Sequence, residues 1–214
     1  MAVKLFVLGL PGSGKSTVSR GIAEYVSENW GWKTTHINDY AILQQMYHDD
    51  SQRIQFKPAD CGGFDVLDLT VFDIALKRLE QTTKQQVLSA KPEEMFLIEF
   101  SRNDYQRAFQ QFSHPSFLKD AYFLYLDVSI ETCKRRIRER ITHPTTPDDH
   151  FVSEFIFSTY YNKDNGQDIP YILEKDYGID KQRVTIIDDM GSLQEASPEI
   201  HSFIDLLLPV RLPV

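Results

Sequence analysis

A chain of 214 residues is long enough to bury a core without disulfides or a structural metal, and it fits one domain with insertions. Its net charge of −8, from 31 acidic against 23 basic side chains, argues against a protein whose whole surface tracks nucleic acid or an anionic membrane. Cys61 and Cys133 are the only cysteines, too few for a disulfide framework, and no apolar run approaches the ~20 residues of a membrane span, so a soluble, cytoplasmic protein with reduced thiols is expected.

The first apolar run, "KLFVLG" at 4–9, reads as a strand, and its "LFVLGL" is too short for a signal peptide's apolar region. A glycine-rich stretch follows, and then Val18, Ile22 and Val26 mark one face of a helix ending near Asn29. "KTTHIN" at 33–38 is a more polar strand. After it, Asn38 or Asp39 could cap a helix over "YAILQQMY", or Asp39 could present its carboxylate at the sheet edge as a base. "DDSQRIQFKPADCGG" reads as a loop. The spacing of Leu67, Val71, Ala75 and Leu79 predicts a helix over 64–80.

"MFLIEF" at 95–100, "YFLYLDV" at 122–128 and "RVTIID" at 183–188 complete five predicted strands. Four of the five are nearly continuous apolar runs, the pattern of strands covered on both faces. Between them Ile130, Cys133, Ile137 and Ile141 form a helical stripe, and Cys133 reads as a small core residue. "THPTTPDD" and "NKDNGQDIP" read as loops, with Thr146 and Pro147 opening a helix, and 193–208 is a final helix that Pro198 would start late. Strands alternating with helices imply an α/β fold: a three-layer parallel sheet of five strands with helices on both faces. We read 1–214 as a single domain, 40–94 as an acceptor-side insertion and 136–165 as a lid.

Gly9 to Ser16, "GLPGSGKS", fits G-x-x-x-x-G-K-[ST] with a strand before it and an amphipathic helix after it. Such a loop, here Gly9, Pro11, Gly12, Ser13 and Gly14, turns its main-chain amides toward phosphate oxygens, helped by the positive end of the following helix. Lys15 brings a point charge to the terminal phosphates, Ser16 a hydroxyl to Mg²⁺, and Thr17 a further hydroxyl. The bland alternative, a plain glycine turn, does not require this context. "NKDN" at 162–165 departs from the guanine-reading motif at Asn165 and follows no strand, so ATP is the expected nucleotide.

"GLPGSGKST" and "LDVSIETCKRRIRERI", in this order of elements, resemble the P-loop kinases of small molecules, in particular the nucleoside monophosphate kinase-like (adenylate kinase-like) group. The resemblance implies that Arg136 lies over the adenine, that Arg140 contacts phosphates, and that "IDDMGS" at 187–192 wraps the adenine. Four-residue spacing puts both arginines on one helix face. The alternative is a solvated basic face paired with Glu131 and Glu139. The third predicted strand ends "LIEFSR", placing Glu99 at the carboxyl edge, where ligands bind in open α/β sheets. Arg102 and Gln106 partly match the group's acid-to-arginine signature, without its glycine and proline. Arg53 and Lys57 could meet acceptor anions, His143 and His150 flank the lid tip, and the lid's lack of cysteine speaks against structural zinc.

The sequence thus predicts an enzyme that moves the γ-phosphoryl of ATP·Mg²⁺ to a small-molecule acceptor, with Lys15, Asp39, Glu99, Arg102 and Arg140 at the reacting groups. An ATP-binding regulator or slow ATPase is the alternative from another class. A polynucleotide end kinase is disfavoured by the acidic balance.

Overall fold

In the computed structural model, which describes residues 2–59, 63–142, 152–188 and 193–208, the five predicted strands are present. They are β1 (Val3–Gly9), β2 (Lys33–Asn38), β5 (Glu94–Phe100), β6 (Ala121–Asp127) and β7 (Val184–Asp188). They form one sheet in the order β2-β5-β1-β6-β7, and every pairing is parallel.

Period-two alternation explains the continuous apolar runs. In β1, Leu5 and Val7 enter the core on one face, while Phe6 and Leu8 enter a separate core on the other. The first face is covered by α1 (Lys15–Trp30), through Val18, Ile22 and Val26, and by α9 (Leu193–Leu207), through Ile200, Phe203 and Ile204. The opposite face carries Leu76 and Leu79 of α3 (Thr70–Leu88) and the aromatic residues of α4 (Tyr105–Gln110). There Phe6 stacks on Phe123 with ring centroids 5.1 Å apart. Each fully buried side chain of this size contributes about 1.5–3 kcal/mol, so the two cores, more than strand propensity, hold the central strands in place.

The insertion differs from its predicted form. Phe64–Val66 is not helical but a short strand, β4, antiparallel to β3 (Phe56–Pro58) inside the predicted loop. Asp50 sets up β3 by accepting from the amides of Ile54, Gln55 and Phe56. The helix starts only at Thr70, because Asp68 takes both the amide and the hydroxyl of Thr70 at 2.9 and 2.7 Å. Leu67 therefore leaves the stripe and is 51% exposed.

Three smaller elements have no predicted counterpart, and only the last begins inside an expected loop, 162–170. They are α5 (Pro115–Lys119), α7 (Glu154–Thr159) and α8 (Ile169–Tyr177), the last preceded by a 3-10 turn at Gly166–Asp168. Helix α9 begins before Pro198, since Ala196 and Ile200 on either side of the proline are already packed into the core. Helix α6 (Ile130–Thr142) buries Cys133 and Ile137 as the stripe required. The readings at Cys61, His143, Thr146, His150 and 189–192 lie outside the described residues. No helix among the described residues is long and apolar enough to cross a membrane.

Candidate functional site

The glycine loop leaves β1 at its carboxyl edge. Gly12 and Gly14 have φ of 84° and 101°, the left-handed region that favours glycine. A Cβ on Gly12 would lie 2.6 Å from the carbonyl oxygen of Cys133, so α6 closes over the loop only because that position is bare. The amide of Gly9 donates to the hydroxyl of Tyr105 at 2.9 Å, and the amide of Ser13 to the carbonyl of Leu10 at 3.1 Å. Helix α1 starts at Lys15 behind Gly14 with no side-chain cap, so its first amides point outward at its positive end. Ser13 enters as main chain alone, its hydroxyl buried. Lys15 Nζ donates to the Leu10 carbonyl at 2.9 Å. Burial lowers the Lys15 ammonium below the usual lysine range against the pull of Glu99, and an anion in the loop would reverse that cost.

The strand order places both predicted carboxylates beside this loop. β5 lies between β1 and β2, with Glu99 opposite Val7 on one side and Asn38 on the other. Glu99 accepts from the hydroxyl of Ser16 at 2.9 Å and of Ser19 at 3.5 Å, and its other contact is His36 Nε2 at 2.7 Å. Burial works against the ionised carboxyl, but His36, Lys15 and Ser16 outweigh it and hold Glu99 below the usual glutamate range. The Ser16 hydroxyl and the Glu99 carboxylate are hard oxygen donors side by side at the loop, a pair that fits Mg²⁺.

At the end of β2 the two readings of Asn38 and Asp39 separate. Asn38 caps α2 (Asp39–Asp49), accepting from the Ala41 amide at 3.0 Å, which leaves the Asp39 side chain on the cleft wall. Asp39 pairs with Arg102 at 2.5 Å. Burial pushes the Asp39 carboxyl up, beyond what Arg102 and Lys15 hold down.

Arg102 itself does not face an acceptor, contrary to the role expected for it. It is 2% exposed, its guanidinium taken by Asp39 and by the carbonyls of Ser101 and Phe72, and it stands behind the carboxylate. Gln106 likewise turns outward, to Asp176 at 3.0 Å.

From the loop a cleft of about 1070 Å³, its open mouth included, runs past Asp39 to Phe64, Phe72, Ile156 and Tyr161. Arg140 lines it, while Arg136 donates to the Ser13 carbonyl at 3.1 Å at the back of the loop. Glu139 pairs with Arg135 at 3.0 Å, so the solvated face of α6 is a different one. Arg53, bonded to the Tyr47 carbonyl, and Lys57, 3.7 Å from Asp65, are not on the lining. Sequence reasoning missed His36, Tyr105, Arg20 and Asp65, none of which stands in a motif; only the pairing of β2 with β5 brings His36 to Glu99.

A family model described as an AAA domain matches residues 5–156, from β1 through α7. The chain belongs to the AAA domain family. No curated protein matches the sequence. The AAA domain chain superposes on Kti12 of Chaetomium thermophilum, solved in complex with ADP-AlF3, at TM-score 0.60 and 15% identity, covering 96% of this chain and 100% of that one. An unliganded sugar kinase from Janibacter sp. HTCC2649 gives 0.57 at 17% identity, with 98% and 100% covered. A gluconokinase from Sinorhizobium meliloti 1021 gives 0.52 at 17% identity, with 96% and 93% covered. At these identities the likeness is one of fold: this AAA domain shares the P-loop α/β architecture of small-molecule kinases.

Proposed function

We propose that this chain is a phosphotransferase that moves the γ-phosphoryl of ATP to a small acceptor. One observation carries the reading: a single cleft joins the glycine loop and Lys15 to a buried carboxylate, Asp39, on a separate wall. A nucleotide-binding module without transfer has no need for that second wall.

The loop amides, with Lys15 and Thr17, would hold the triphosphate, and Arg136 would steady the loop from behind. Ser16 and Glu99 would hold Mg²⁺, which offsets phosphate charge when bound. Asp39 takes the proton of the acceptor's hydroxyl as that oxygen attacks the γ-phosphorus. The bond from that phosphorus to the β–γ bridging oxygen breaks, and ADP leaves with the electron pair. Asp39 suits this task because its burial makes it a better proton acceptor than a surface aspartate. Arg140 would meet the charge spread over the transferring group.

Burial pushes the Cys133 thiol up to about 11, which makes it an inert core residue. The test is acceptor-dependent ADP release together with calorimetry of ATP·Mg²⁺ binding. Lys15→Ala should lose at least about 100-fold in turnover while its far-UV circular dichroism stays unchanged. Full turnover in that variant, or no triphosphate binding by the folded wild-type chain, refutes the reading.

A further inference from the structure

The cleft has two chemically different halves. Its lining cations are Lys15 and Arg20 of α1, beside the glycine loop, and Arg140 of α6, whose charge reaches both Lys15 and Tyr40 of α2. The facing wall, built from α2, β4, α3 and the start of α7, contributes no lysine or arginine among the described residues. The stretches outside the description in this part of the chain, 60–62 and 143–151, contain neither residue type in their sequence. The wall is instead largely apolar and aromatic, with Leu43, Phe64, Val66, Phe72, Ile156 and Tyr161 on it, and the hydroxyls of Ser153 and Tyr161 are engaged within the protein, by the Ile156 amide and the Ser101 carbonyl.

Two carboxylates interrupt that surface, Asp39 and Asp65. The charge of Asp39 is matched by Arg102 behind it. Asp65 is 8% exposed, and its Oδ2 lies 3.7 Å from Lys57, a loose pair. Its Oδ1 is buried and accepts no hydrogen bond. A carboxylate with a buried oxygen in that state calls for a donor, and Asp65 stands on the cleft lining where one could reach it.

Such a wall is wrong for an anion. An acceptor carrying a phosphate or carboxylate would meet two carboxylates on that wall, with Arg140 already taken by the transferring group, and would give up its hydration to apolar side chains. A polyhydroxylated sugar would leave most of its hydroxyls unpaired against the rings. A flat apolar body fits, and aromatic side chains add stacking to its burial. Resting on the phosphotransfer reading above, we infer that the acceptor is an alcohol on an apolar, ring-bearing body with no anionic group, uncharged or cationic. Asp65 selects it by accepting a hydrogen bond from a second donor on that body. The hydroxyl's proton passes to Asp39 as its oxygen takes the γ-phosphoryl and ADP departs.

The test uses the full chain with Mg²⁺ and matched probes: thymidine with TMP, adenosine with AMP, tyramine, benzyl alcohol, glucose and gluconate. Ligand-observed NMR in the presence of a non-hydrolysable ATP analogue reads binding, and phosphorus NMR with ATP reads transfer. At least one of thymidine, adenosine, tyramine or benzyl alcohol should bind and be phosphorylated. TMP, AMP and gluconate should be at least about 100-fold poorer in kcat/KM. Asp65→Asn should raise the KM for the preferred alcohol about tenfold, with kcat and the KM for ATP within about twofold.

Equal or better use of TMP, AMP, gluconate or glucose overturns the inference and leaves the phosphotransfer reading standing. So does an unchanged acceptor KM in Asp65→Asn, and binding of no probe also overturns it. An alcohol that binds beside the nucleotide without receiving phosphate sinks the phosphotransfer reading and leaves the assignment of the wall intact. The wild-type selectivity needs no variant, so a misfolded Asp65→Asn protein would still leave a decisive measurement.

Discussion

Replacing Arg102 by methionine isolates the contribution of the buried pair beneath the acceptor wall. The substitution keeps much of the side chain's volume, removes the 2.5 Å partner of Asp39, and frees the carbonyls of Ser101 and Phe72. A buried carboxylate stripped of its partner costs about 3–5 kcal/mol, and each abandoned carbonyl adds on the order of 1 kcal/mol where water does not reach it. A loss of about 3–7 kcal/mol should appear in urea unfolding at pH 8, or as a fall of about 6–28 °C in Tm.

The deficit should shrink as pH falls. Burial already raises the Asp39 carboxyl above its unfolded value, and losing Arg102 raises it further. The folded variant then holds a proton that the unfolded chain has released, so acidification favours the folded form of the variant relative to the wild type. Adding Asp39→Asn to the variant should recover stability, with a coupling of about 2 kcal/mol or more between the two sites. A deficit under about 1 kcal/mol that does not change with pH, together with additive single substitutions, would show that the pair does not carry the burial described for it.

Two further outcomes follow from the same geometry. Gly12→Ala should destabilise by more than the about 1–2 kcal/mol of a left-handed alanine, because its Cβ also meets the Cys133 carbonyl at 2.6 Å; a thermal melt and ATP titration should show losses in both stability and affinity. For Glu80, burial opposes ionisation, but bonds from Lys84 and from the amides of Ser113 and His114 outweigh it and hold the carboxyl below the usual glutamate range. Its contribution is therefore complete above the unfolded glutamate range and lost as pH falls through its folded value, so Glu80→Gln should flatten the acid limb of urea stability; parallel wild-type and variant limbs would refute the assignment.

Local chemistry alone determined the phosphate loop, because its backbone angles, its amides and its lysine all lie within nine consecutive residues after a strand. It also determined the parallel sheet, since a strand covered on both faces cannot alternate with polar residues; "KLFVLG" and "MFLIEF" show this directly. The insertion was less legible, since the spacing of Leu67, Val71 and Ala75 suits a helix regardless of where Asp68 captures the chain. Asp39 could be read as cap or as cleft residue until Asn38 was seen to take the cap. Arg102 looked like a clamp, and His36 and Asp65 carried no signal at all. Their positions depend on β5 entering the sheet between β2 and β1, and on α3 and β4 folding back over the cleft. Contacts between residues sixty apart in the chain leave no periodic trace, so only the folded arrangement decides which charges are paired underneath and which face the substrate.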